Sequence, residues 1–140
     1  MKPFSIFLLI LVAACGAKTS SVKYGKTTVA DLIQEKGEPT KKEAIPIKGS
    51  SILYFSDTES YQIKDDIVTN GFITPQKEER SLLYWKHHFK DCQTVLKKLP
   101  RKADSHGPQE YELSCPEEGR SIIYSEGSEF ISRIVEYESK

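Results

Sequence analysis

Glu79-Arg80-Ser81-Leu82-Leu83-Tyr84-Trp85-Lys86-His87-His88-Phe89-Lys90-Asp91-Cys92-Gln93-Thr94-Val95-Leu96-Lys97-Lys98-Leu99, closed by Pro100, is the stretch whose reading decides the fold. At helical spacing Leu82, Trp85, Phe89, Cys92, Leu96 and Leu99 fall on one stripe, in steps of three, four, three, four and three. That spacing predicts one long amphipathic helix with a single buried face. Lys86, Lys90, Asp91, Lys97 and Lys98 fall mostly away from the stripe, and Pro100 cannot donate the next backbone bond. Such a helix needs an apolar partner surface, and the segments on either side are read as its source.

Upstream, Thr28 is placed to cap a short helix, with Asp31 three residues on in the capping-box position. Val29, Leu32 and Ile33 form the apolar stripe of that helix, and Gly37 and Pro39 end it. Four extended runs follow. Residues 42–48 read as an edge because of Pro46. Residues 51–56 and 59–64 are β-rich, and Asp65-Asp66 turns into a run that starts at Ile67-Val68. Downstream of Pro100 lies a polar loop, then strands at 109–115, 120–124 and 129–137 separated by Pro116-Glu117-Glu118-Gly119 and Ser125-Glu126-Gly127-Ser128. Some letters recur between the halves: Ser51-Ile52-Leu53-Tyr54 against Ser121-Ile122-Ile123-Tyr124, and Ile67-Val68 against Ile134-Val135. The fold class expected is α+β, a tandem repeat of a helix packed on an antiparallel three-stranded β-meander. Its first unit spans 26–75 and its second 78–138.

With 140 residues the chain is long enough for one ordinary domain. Twenty basic side chains balance twenty acidic ones, so no basic field marks a nucleic-acid partner. The amino terminus has its own character: Met1-Lys2 is followed by an apolar run from Phe4 to Ala14 that has the length of a secretory signal and is too short to span a bilayer. The run leads into Val12-Ala13-Ala14-Cys15-Gly16, which resembles the lipobox of bacterial lipoproteins. That resemblance implies a signal peptide over 1–14, a diacylglycerol and an acyl chain on Cys15, and a membrane anchor of several chains, which is firm where one chain is marginal. Glycine rather than aspartate after the cysteine implies the outer membrane of a Gram-negative envelope, facing the periplasm; a Gram-positive source stays open. Residues 15–25, small and polar, read as a flexible tether.

Two cysteines then remain in an oxidising compartment, Cys92 and Cys115. Tyr111, Leu113 and Cys115 alternate onto one side of their strand, and Cys92 lies on the apolar stripe of the helix. Helix against sheet would bring the two sulfurs into one layer, so a Cys92–Cys115 disulfide is expected, with two buried free thiols as the alternative.

Catalytic patterns are sparse. His87 and His88 are adjacent on a helix and diverge by about 100°, which does not suit a shared metal. Asp104-Ser105-His106 has the letters of a triad, but in one short loop and with no buried orienting acid implied. There is no phosphate-cradling glycine loop, no Cys-x-x-Cys and no His-Glu-x-x-His. No catalytic residue, metal or cofactor is expected. Trp85 reads as core. Tyr54 and Tyr61 are candidate partner-binding residues, since tyrosine is favoured at interfaces.

Gly25-Lys26-Thr27, Val29, Leu32-Ile33 and Gly37-Glu38-Pro39, with Ile52-Leu53-Tyr54-Phe55 and Tyr61-Gln62-Ile63-Lys64-Asp65-Asp66-Ile67-Val68, resemble the opening of the SmpA/OmlA (BamE-like) outer-membrane lipoproteins. Two such units in tandem resemble the β-lactamase-inhibitor-protein fold. The first resemblance implies a non-catalytic accessory of outer-membrane protein assembly. The second implies a module that binds or inhibits a periplasmic or secreted enzyme. Either way the partners expected are a membrane, through the lipid, and another envelope protein.

Overall fold

A computed structural model describes residues 21–101 and 103–140. Residues 1–14 and Cys15 lie outside these, and so does most of the tether. Among the described residues the order is α1 (Val29–Lys36), β1 (Lys41–Ala44), β2 (Ser50–Ser56), β3 (Glu59–Lys64), β4 (Ile67–Ile73), a 3-10 turn (Glu78–Arg80), α2 (Leu82–His88), β5 (Val95–Lys98), β6 (Glu110–Cys115), β7 (Arg120–Ser125) and β8 (Ile131–Tyr137). All eight strands form one antiparallel sheet in the order β1-β2-β3-β4-β8-β7-β6-β5.

The expected tandem of helix-plus-three-stranded-meander units is therefore corrected. Strands from 26–75 and from 78–138 share one sheet, joined where β4 pairs β8 through Asn70↔Tyr137, Gly71↔Glu136, Phe72↔Val135 and Ile73↔Ile134. The longer recurring run does not mark equivalent places. Ser51–Tyr54 lies on β2, one strand from an edge, whereas Ser121–Tyr124 lies on β7, two strands from the other. Their faces are inverted too: Leu53 points to the core from the first run and Ile122 from the second, the consequence of a period of two under a one-residue slip.

The long helix is also corrected. α2 is seven residues, ending at His88, and Val95–Lys98 leaves the helical path to pair with β6. Cys92 is bonded to Cys115 at the end of β6, so the chain reverses there and lies antiparallel along that strand. The backbone of 95–98 finds its partners on the open edge of β6, and the β-branched pair Thr94-Val95 favours extension over another helical turn. Leu96, read as part of a buried stripe, is 59 % exposed.

Local signals elsewhere hold. The Thr28 hydroxyl accepts from Asp31 N (3.2 Å), and the Asp31 carboxylate accepts from Thr28 N (3.2 Å) and Thr28 Oγ1 (2.8 Å), a complete capping box. Gly37 ends α1 at φ 86°, a conformation that side chains avoid. Asp65 and Asp66 both take positive φ, 49° and 67°, as a tight β3–β4 turn demands. β1 stops before Pro46, and both edge strands carry adjacent lysines, Lys41-Lys42 and Lys97-Lys98, which discourage edge-to-edge pairing.

Both helices pack on the same face. α1 covers Leu53, Tyr61, Ile63 and Val68 together with Val22, and α2 sets Leu82, Trp85 and Phe89 over Cys115, Ile122, Ile131 and Ile134. Val22 is buried and Gly25 N donates to Val68 O (2.8 Å), so residues 22–25 belong to the folded body and not to the tether expected over 15–25. Between the two cores runs a polar seam. Tyr24 lies over Gly71 and donates to Glu136 (2.8 Å), which also pairs with Arg120 (3.3 Å). Burial, and then the Glu136 charge, hold the Tyr24 hydroxyl far above its usual pKa.

Candidate functional site

The register assigns every strand residue to a face. On the side opposite the helices, one rung of paired residues crosses all eight strands: Lys41, Tyr54, Ser60, Phe72, Val135, Ser121, Ser114 and Val95. Beside it lie Glu43, Ile52, Gln62, Asn70 and Tyr137 on one flank, and Arg133, Ile123, Glu112 and Lys97 on the other. Among the described residues no helix covers this surface, because both are used on the reverse, although Val135 and Ser121 on it are buried.

Its two halves differ in chemistry. Around β6–β8 the polar groups satisfy one another. Ser121 Oγ donates to Glu112 (2.6 Å), and Tyr137 Oη donates to the Arg120 carbonyl (3.1 Å). Burial, with the Glu112 charge adding to it and a hydrogen bond with Ser114 opposing it, raises the Tyr137 pKa. Around β2–β4 the surface is aromatic and less committed. The Arg133 guanidinium stands over Phe72 at 5.8 Å from the ring centroid, and Lys41 stands over Tyr54 at 5.1 Å while pairing with Glu43 (3.0 Å). A hollow of about 200 Å³ opens between Ile52, Tyr54, Ser60, Phe72 and Arg133, with Asp57 on its rim.

The two tyrosines named from sequence part company. Tyr54 is on the uncovered face, its hydroxyl donating to Glu43 (3.3 Å). Tyr61 is 1 % exposed, packed edge-on to Phe55 under α1 with its hydroxyl donating to Glu59; as a partner-binding residue it is corrected to a core residue. Odd and even positions of β3 face opposite ways, and the sequence does not say which side the helices take. Phe72, Ile52 and Arg133 were not singled out from sequence. The available signal was Phe72 on the run that starts at Ile67-Val68.

Cys92 and Cys115 are bonded, S–S 1.98 Å and Cα–Cα 5.8 Å, with Cys92 in the turn after α2 rather than on a helix. Glu117 approaches both sulfurs, but bonded sulfurs are not metal ligands. His88 Nε2 donates to the Glu118 carboxylate (3.0 Å), and the ring stacks on Tyr84, away from the uncovered face. Asp104, Ser105 and His106 are all exposed in the β5–β6 loop. Trp85 is buried, its Nε1–H donating to Glu79 O (2.7 Å). Among the described residues no helix is long and apolar enough to cross a membrane.

No family model, curated protein or solved structure matches the chain.

Proposed function

We propose that this chain is a non-catalytic binding protein of the bacterial envelope, lipid-anchored through Cys15 to the outer membrane and facing the periplasm, that grips another envelope protein with the helix-free face of its sheet. The observation that carries the reading is the rung from Lys41 to Val95. Eight strands at a spacing of roughly 4.8 Å set its ends roughly 34 Å apart, broad enough for an interface of ordinary size. Tyrosine, phenylalanine and arginine together on one half of that face are the residue types that dominate binding energy at interfaces.

The SmpA/OmlA resemblance and the lipobox support a barrel-assembly component as the partner. The breadth of the uncovered sheet favours a second reading, a module that holds or inhibits a periplasmic or secreted enzyme. Metabolic labelling with an alkynyl fatty acid is expected to mark the wild-type chain and not Cys15→Ser, and Cys15→Ser is expected to leave the outer-membrane fraction. Equal labelling of the two would remove the anchor. Affinity purification after cross-linking in intact cells decides between the readings by what is recovered: a barrel-assembly subunit for the first, a soluble enzyme for the second.

A further inference from the structure

We infer that the hollow between Tyr54, Phe72 and Arg133 receives an acidic side chain from the partner, an aspartate or glutamate on a folded loop, with a neighbouring apolar residue laid across the two rings. The inference rests on the reading that the helix-free face binds protein, and names what that partner must present. Arg133 is exposed, and no carboxylate pairs with it among the described residues, whereas Arg120 on the covered face is paired to Glu136. Its neighbours explain why. Asp57 lines the hollow without reaching the guanidinium, and Glu59 is engaged on the other face by Lys36 (2.6 Å) and Tyr61. Glu43 is engaged by Lys41 and Tyr54, and Glu112 by Ser121.

A guanidinium seated against a ring is held in a plane, so its fork of N–H donors is ordered before a ligand arrives. Carboxylate is the group that fits this fork with two parallel hydrogen bonds. Ile52, Tyr54 and Phe72 beside it supply a surface that excludes water from the pair, the condition under which an interfacial charge pair contributes net affinity. A partner's acidic residue thus meets a cation that no carboxylate among the described residues pairs, with Asp57 and Glu59 along the hollow and an apolar wall on one side.

The test uses the full exported chain carrying benzoylphenylalanine at position 62, in the cells that make it. Gln62 faces the same side and pairs with Ile52, but does not line the hollow. The cross-linked partner peptide is mapped by mass spectrometry. It is expected to hold an Asp or Glu at the cross-linked surface. Arg133→Glu is expected to cut the yield at least about tenfold, Arg133→Lys less, and reversing the partner's acid to Lys is expected to restore it with Arg133→Glu. As a defined probe, N-acetyl-Leu-Glu-Leu-amide at millimolar concentration is expected to shift the Arg133 Nε–Hε NMR signal, and its Gln counterpart is not. A cross-linked peptide without an acid, or a yield indifferent to Arg133→Glu while near-ultraviolet dichroism is unchanged, overturns the acidic anchor and leaves the binding face standing. No protein cross-linked from position 62 or from position 123 overturns both.

Discussion

Gly71 is a position where one added methyl would be felt. A Cβ there would run into the Tyr24 hydroxyl and lie 3.2–3.3 Å from its ring carbons. Gly71→Ala should lower stability by about 1–3 kcal/mol, as overpacking of a filled site does. In a Tyr24→Phe background, which removes the hydroxyl, it should cost less than that; urea titration of the four-member cycle reads the non-additivity. Glu59 supplies a second test. Burial alone would raise its pKa, but Lys36 and the Tyr61 hydroxyl outweigh burial and hold it below the ordinary 4.5. A folded-state value below the unfolded one adds stability that is complete above the unfolded value and lost as pH falls through the folded one. Glu59→Gln should thus be less stable at pH 7 by no more than about 1 kcal/mol, because solvent still screens a partly exposed pair. That difference should shrink as pH falls below 4.5 and vanish once pH is below the lowered folded-state value.

At the scale of elements, the Cys92–Cys115 bond does what continued helix was expected to do: it fixes residues 92–99 against the sheet. Its sequence separation of 23 gives about 3 kcal/mol in the chain-entropy model. Replacing both cysteines by serine should lower the urea midpoint accordingly. The amides of Val95–Lys98 should lose hydrogen-exchange protection first, since this edge strand of four exposed residues keeps only β6 as a neighbour. Protection at 95–98 equal to that of β4 in the double variant would show that β5 needs no clamp.

For the whole molecule, the decisive feature is that two cores share one sheet through the β4–β8 pairing and the Tyr24–Glu136–Arg120 seam. Trp85, inside the α2 core, and far-ultraviolet dichroism, which sees all strands, should report one coincident unfolding transition. An earlier Trp85 transition would mean that the halves fold separately. Because both helices lie on one side, the other side is the one proposed to hold a partner, and the cross-linking experiment at position 62 belongs to this scale as well.

Much of this was legible in residues. Thr28 and Asp31 announced α1, Asp65-Asp66 a tight turn, and the alternating runs at 51–56, 59–64 and 120–124 their strands, since caps, turns and period are local properties of the chain. The sulfur pair was legible because, with Cys15 read as a lipobox cysteine, two others remained. Three matters were decided by tertiary structure alone. Val95–Lys98 became a strand because the open edge of β6 offered its backbone more than another helical turn did. The halves became one sheet because β4 met β8, a contact between residues more than sixty positions apart that no local pattern encodes. Tyr54 came to face outward and Tyr61 inward because the helices settled on one side, and in a strand of period two that choice fixes the exposure of every side chain at once.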